Sequence, residues 1–333
     1  MAVTYFSSED SGAPQLVTTR NVAGNYENSI IEIMDAILIN GYGTKSGLGW
    51  TKLMTSDVTD SNRTVYQNNS AHADNMNLIV QSNPANYTGI EFQIAEVVTT
   101  PESYLGYSHI VSVYQTHAGT PQWRAVGDER TFIFMYWSSY IDNSAYYSWR
   151  NYSPTCIYIG DFDDVSNSNP KAWGLLARSM RPGTLDTFAR QSENKGVFNF
   201  EYAVNPAGAT GRPVTRVPGQ DWDENIINTF VSSFEPRPVH VSMTGIPIQD
   251  INDFSAKATV KSSWYIFFEF FHAYRLRGIY SIYPWLSANG IDNKRLWGEE
   301  VSAFGDDYMG FPYLYSNSNK LAMSVYIKLT GDW

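Results

Sequence analysis

Apolar Ile30, Ile31, Met34, Ile37 and Leu38 recur at spacings of three and four, which puts them on one face of an amphipathic helix. Asn28 stands at the start as a cap, although Ile31 fills the position that the reciprocal Glu or Gln of a capping box would take. Gly41 and Gly43 stop the helix, because glycine reaches the left-handed backbone of helix exits and tight turns. Trp50 then opens a strand. Residues 29–52 thus read as helix, turn and strand, with Gly41, Tyr42, Gly43, Gly49 and Trp50 as the structural turn.

Beyond it the pattern is one of short alternating or apolar runs. Strands are predicted at 50–54, 64–67, 75–81 and 89–97, separated by Asn, Ser and Pro. The strongest hairpin signal spans 122–140: residues 123–126 lead into Gly127-Asp128-Glu129-Arg130, and 131–137 lead out. The near-continuous TFIFMYW run predicts a central strand covered on both faces, or one in an interface. Further strands are expected at 146–150 and 155–162.

From 166 to about 220 the composition shifts toward Asn, Gly and Arg, and Pro170, Pro182, Pro206, Pro213 and Pro218 break any long element. A brief helix is expected at 224–234. Strands are expected at 239–243, at 256–271 with a break near 261–263, and at 321–329, the last pairing with 265–271. The fold class is mainly β with a few helices (α+β), built of antiparallel sheets in a sandwich-like core with long insertions. Three regions follow: 1–165 with an N-terminal arm, the helix and a β core; 166–238 as an irregular insertion; and 239–333 completing the same core.

Composition changes this picture in two ways. With 23 Lys and Arg against 33 Asp and Glu the net charge is −10, which argues against direct nucleic-acid binding. Aromatics are 15% and charged residues 17%, below the usual charged fraction of about 25%. The 23 Tyr and 10 Trp suit either packed interfaces or an unusually aromatic core. Trp123, Tyr136, Trp137, Tyr280 and Trp285 are the candidates for that role. Cys156, the single cysteine, reads as a buried small hydrophobe. The N-terminus shows no signal-peptide pattern, and no apolar run reaches the about 18 residues of a membrane span. Glycosylation-type motifs at Asn62, Asn68 and Asn86 read as surface loops.

Candidate chemistry is sparse. GYGTKSG resembles a phosphate loop but fails the Walker pattern, since its helix precedes the glycines and Lys45 follows Thr44. His72, His109, His117, His240 and His272 are dispersed and form no HExxH. Asp161, Asp163 and Asp164, and Asp221 and Asp223, are weak candidates for a metal, without the EF-hand spacing. No carboxylate pair stands out for glycoside hydrolysis, and GxSxG is missing. The expectation is no enzyme and no cofactor.

The segments TYFSSEDSGAP, MDAILINGYGTKSGLGWTK, VYQNNS, WRAVGDERTFIFMYW and LRGIYSIYP together resemble an uncharacterised family of tailed-bacteriophage virion proteins. The matching positions are 8–14, 38–45, 49–52, 125–132 and 277–280, in the same order. Two departures stand out: Gln67 where relatives often carry Arg, and residues 77–80 without their usual charges. The resemblance implies a virion structural component of the head, neck, collar, tail or baseplate. It would be made in the host cytoplasm and assemble with identical copies and other virion proteins. Tyr5, Phe6 and Pro14 belong to an arm able to reach a neighbouring subunit, with a tethered edge strand as the alternative. A receptor- or host-glycan-binding module of the tail is the rival reading, and a polysaccharide hydrolase the third.

Overall fold

Strands dominate the computed structural model, which describes residues 2–16, 25–56, 63–69, 75–83, 89–107, 111–114, 121–138, 155–164, 173–177, 203–204, 210–211, 235–239, 262–267, 273–282, 300–314 and 321–333. The chain starts with β1 (Thr4–Ser7), helix α1 (Asn25–Met34) and a π-helical turn (Asp35–Asn40). Next come β2 (Thr51–Thr55), β3 (Thr64–Gln67), β4 (Asn77–Asn83), β5 (Gly89–Thr100), β6 (Ser103–Tyr107) and β7 (Val111–Tyr114). They are followed by β8 (Pro121–Gly127), β9 (Thr131–Ser138), β10 (Thr155–Asp161), β11 (Asp163–Asp164) and β12 (Trp173–Ala177). After the short β13 (Ala203–Val204) and β14 (Thr210–Gly211), the chain forms β15 (Glu235–Val239), β16 (Ser262–Phe267) and β17 (Ala273–Ser281). It closes with β18 (Glu300–Ala303), β19 (Asp306–Leu314) and β20 (Leu321–Lys328).

All described strand pairs are antiparallel. The first sheet has the order β2-β3-β4-β5-β6, with β7 also on β5, and the middle sheet has the order β1-β8-β9-β10-β12. The third has the order β15-β16-β17-β20-β19-β18, with β11 added on β17, and β13 pairs with β14 alone. The mainly-β, antiparallel expectation therefore holds.

Side-chain alternation makes the stack. Every second residue of the middle sheet (Phe6, Ala125, Phe134, Ile157, Leu175) packs with Tyr66, Leu78, Val80, Phe92 and Ile94 of the first. Ile30, Ile33, Met34, Ile37 and Leu38 of the helical segment join the same core. The intervening residues Val126, Ile133, Met135 and Tyr158 are also buried. Their face turns to the third sheet, where Arg124 Nη1 reaches Met309 Sδ at 3.3 Å and β11 pairs with β17. Phe132, Ile133, Phe134 and Met135 are thus all buried, which explains the unbroken apolar run of β9.

Several expectations change. The helix begins at Asn25, so Asn28 lies inside it and is not its cap. Residues 4–7 form an edge strand on β8, with Tyr5 opposite Val126, and Phe6 is wholly buried in the core. Burying such a ring stabilises by about 1.5–3 kcal/mol, so the stretch is tethered to its own subunit rather than reaching out as an arm. Pro14 joins it there, its carbonyl accepting from the Trp123 indole at 3.0 Å. β12 lies within the span read as an irregular insertion and extends the middle sheet, with Trp173 and Leu175 in the core. β20 pairs with β17 and β19 instead of with 265–271, because β17 lies between it and β16. β15 covers 235–239, ahead of the expected strand; its Pro236 and Pro238 are compatible with an edge position. The expected elements at 146–150 and 224–234 lie outside the described residues. No described helix is long and apolar enough to cross a membrane.

The turn after the helix is sterically exacting. Gly41 has φ +70°, and a Cβ there would lie 2.0 Å from the Lys45 carbonyl oxygen. Gly43 has φ +58° but open space, with Ser11 O at 3.4 Å from a Cβ. Gly43→Ala is expected to cost about 1–2 kcal/mol, the left-handed penalty alone. Gly41→Ala adds a backbone clash and is expected to cost at least about 3 kcal/mol. Urea unfolding of both variants checks this ranking, and equal losses would contradict it.

Candidate functional site

The π-helical turn opens a gap that the following chain fills. Gly41 N–H bonds back five residues to Ala36 O at 2.8 Å, which leaves the later carbonyls in need of donors. Leu48 N–H donates to Ile37 O at 2.9 Å and Trp50 N–H to Leu38 O at 3.0 Å, so the loop folds back under the helix end. A Cβ at Gly47 would sit 2.4 Å from Ile39 O, so only glycine allows this crossing. Asp35 holds the far side, pairing with Lys52 at 2.8 Å and accepting from the Tyr66 hydroxyl at 2.8 Å. Burial, then the Asp35 charge, push the Tyr66 phenol well above its ordinary range and keep it a donor.

On the exposed side of the turn, the same loop clamps β1. Asp10 Oδ2 accepts from Ser7 N–H at 2.8 Å, from the Tyr42 hydroxyl at 2.7 Å and from Lys45 Nζ at 2.6 Å. Partial burial raises the Asp10 carboxyl, but these bonds outweigh it and hold the group below its usual range. The Tyr42 ring meets Trp123 edge-on at 6.2 Å and Phe6 at 5.7 Å. Lys45, the residue that invited the phosphate-loop comparison, is therefore committed to Asp10 and lies over the Tyr5 ring at 5.4 Å.

A buried polar network occupies the β8–β9 turn. Asp128 Oδ1 accepts from Arg130 N–H at 2.9 Å and Thr131 N–H at 3.0 Å, closing the turn. Its carboxylate also takes both Nη groups of Arg277 on β17, at 2.9 and 2.6 Å. Both side chains are only 3% exposed. Arg277 further bonds Thr131 Oγ1 at 3.2 Å and approaches Asp163 Oδ1 at 3.3 Å. Burial would lower the Arg277 pKa, but the Asp128 pairing more than reverses it, so the guanidinium stays charged.

The network extends to every layer. Arg130 pairs with Asp161 at 3.2 Å and with Asp163 at 3.6 Å, and Arg275 pairs with Asp163. Tyr158 Oη donates to Asp161 O at 2.5 Å and accepts from Arg277 N–H at 3.3 Å. From the first sheet, Asn68 Nδ2 reaches Asp161 Oδ1 at 2.9 Å, and Asn69 N–H donates to Glu129 O at 3.0 Å. The Trp50 indole N–H donates to Asp128 O at 3.1 Å while its ring meets Phe132 edge-on at 5.3 Å. Asp128, Asp161 and Asp163 balance Arg130, Arg275 and Arg277 in charge. A cluster so balanced and so bonded orders backbone; it presents no carboxylate pair to a substrate.

Of the turn residues, Tyr42 and Trp50 meet the core and Trp50 also the network, Gly49 lies beside Glu129 and Asn69, and Gly41 and Gly43 shape the backbone between. Trp123 and Tyr280 are buried within the chain, Tyr280 edge-on to Tyr308 at 6.1 Å. Tyr136 and Trp137 lie on β9, at positions where the backbone alone is described, and Trp285 lies outside the described residues. The metal reading of Asp161 and Asp163 gives way to arginine pairing, which consumes their oxygens; Asp164 pairs with Tyr274 in the β11–β17 register. No metal-type cluster occurs among the described residues. Asp221, Asp223, Asn62, Asn86 and the five histidines lie outside them. Asn68 is 1% exposed and internally bonded, so it is a core residue and not a surface acceptor. Asp10, Gly47, Asp128 and Arg277 gain their roles from tertiary partners and belong to no sequence motif. For Arg277 the signal was available, a lone cation between Leu276 and Ile279. A scan of protein-family models and searches of curated proteins and of solved structures each returned no match.

The Asp10 clamp carries a pH signature. Its folded pKa lies below the unfolded value of 3.8, so the unfolded chain binds the proton more readily. Its stabilisation is therefore complete above that value and is lost as pH falls through the folded pKa. Thermal melts of wild type and Asp10→Asn are expected to differ at pH 7 and converge below pH of about 3.8. A gap that stays constant down to pH of about 2.5 would contradict the clamp.

Proposed function

We propose that this chain is a structural subunit of a tailed-phage particle, assembling with identical copies and other virion proteins at the head, neck or tail. One observation carries the reading. The five stretches behind the family resemblance interlock through Asp10–Tyr42–Lys45, Trp50–Asp128, Asn69–Glu129 and Asp128–Arg277, although they are far apart in sequence. A signature made of mutually supporting contacts within the fold is what a shared scaffold requires, whereas an enzyme family would share groups converging on a cleft.

The aromatic content bears on the rival reading. Trp50, Trp123 and Trp173 are buried, as are Tyr66, Tyr158, Tyr308 and Tyr326. These rings stabilise the subunit and are not platforms for stacking sugars, which favours a structural role over glycan binding. Contacts between copies then fall to the outer faces and edges of the stack.

The test is proteomic and genetic. Purified particles from the phage that encodes this chain are expected to contain it in a fixed, whole-number copy ratio, and its deletion to yield incomplete or fragile particles. Particles that lack the chain, or deletion particles that are complete and fail only in host attachment, would overturn the reading.

A further inference from the structure

The turn that ends the helical segment contains a chemically reactive dipeptide. Asn-Gly occurs twice in the sequence, at 40–41 and at 289–290, and the second lies outside the described residues. A glycine after asparagine has no side chain to hinder attack of its backbone nitrogen on the asparagine carboxamide. The nitrogen gives up its proton and bonds to Cγ, ammonia leaves, and a cyclic imide forms. Water then opens one of the two imide C–N bonds. The product is aspartate or, with the main chain rerouted through Cβ, isoaspartate. Backbone geometry decides how fast this runs.

At Gly41 that geometry is withheld. Asn40 is the last residue of the π-helical turn and is exposed, so water and hydroxide reach it. Gly41 N–H, however, donates to Ala36 O at 2.8 Å, which holds the proton the reaction must remove and fixes the peptide plane. The surrounding chain gives no slack. A Cβ on Gly41 would lie 2.0 Å from Lys45 O, and one on Gly47 would lie 2.4 Å from Ile39 O. Tyr42 and Lys45 exchange backbone bonds at 3.0 and 2.9 Å, and Asp10 holds both of their side chains. Attack on Asn40 therefore requires the turn to open.

We propose that Asn40 is a conformation-gated deamidation site: the closed turn preserves the amide, and conversion in the open turn prevents reclosure. The imide nitrogen has no hydrogen to offer Ala36 O. Isoaspartate adds a carbon to the main chain of a loop already in backbone contact at Gly41 and Gly47. Even plain aspartate places a negative charge at a helix C-terminal end, where the carbonyls already carry partial negative charge. A brief opening leaves no mark, and a long one becomes permanent. The turn that fixes helix, β1 and β2 thus records its own unfolding, a property of the purified chain that does not depend on the assembly reading.

The test holds the full chain in mildly alkaline buffer, with and without unfolding guanidinium chloride, and maps its peptides by isoaspartate-specific methylation. In denaturant Asn40 and Asn289 should convert at rates of the same order. In native buffer Asn40 should convert at least about a hundredfold more slowly than in denaturant, the factor given by a turn open on the order of 1% of the time or less. Tyr42→Phe, which removes a hydroxyl bonded to Asp10, should speed native conversion and leave the denatured rate unchanged. In an Asn289→Gln background, chain converted in denaturant and refolded should melt below its unconverted parent. Adding Asn40→Gln to that background should abolish this loss. Equal Asn40 rates in native buffer and denaturant, a native rate unmoved by Tyr42→Phe, or a converted chain that melts like its parent would each overturn the proposal.

Discussion

The ion pair between Asp128 and Arg277 is the contact on which the layers depend. Asp128 would shape the β8–β9 turn even alone, through its bonds to Arg130 and Thr131. Arg277 is the part that needs a partner, since a guanidinium buried in the third sheet without one is strongly destabilising. The turn therefore does two things with one carboxylate. It closes the middle sheet's central hairpin and neutralises the cation that the third sheet brings in. Trp50 and Asn68 attach the first sheet to the same few residues.

A second constraint sits at the N-terminal end of the stack. The π-helical turn is a less favourable local geometry than a plain helix, and its compensation comes from what its carbonyls can then accept. Leu48 and Trp50 N–H groups satisfy Ile37 and Leu38, and the loop between carries Tyr42 and Lys45 out to Asp10. Helix, β1 and β2 are thereby fixed relative to one another by local bonds. The chain ends are joined as well, with Val3 N–H donating to Gly331 O at 2.9 Å. Held this way, β1 has little freedom to leave β8.

The sequence made part of this legible. Periodicity located the helical face, and short apolar runs bounded by turn residues located β3, the β8–β9 hairpin and the final strand. Gly41 and Gly43 were readable since positive φ selects glycine. The rest depends on tertiary partners. Phe6 looks like an arm residue until the core that receives it is known, and Asn68 looks like a loop until Asp161 is placed beside it. Pro236 and Pro238 conceal an edge strand. Asp161 and Asp163 invite a metal only while their arginines, more than a hundred residues away in the case of Arg275, are out of view. Aromatic content pointed equally to core and interface; among the described residues Trp50, Trp123, Trp173, Tyr66 and Tyr158 are buried.

The proposed structural role needs a rigid body, and the balanced network ties the three sheets to one another. Its central claim is that Asp128 and Arg277 act together across two sheets. Equilibrium urea unfolding of Asp128→Asn, Arg277→Met and the double variant measures that coupling most directly. Asp128→Asn, which keeps an acceptor for the turn but removes the charge, is predicted to cost about 3 kcal/mol or more. The double variant should lose less than the sum of the singles by at least about 1 kcal/mol. Additive losses, or an Asp128→Asn variant as stable as wild type, would contradict the account.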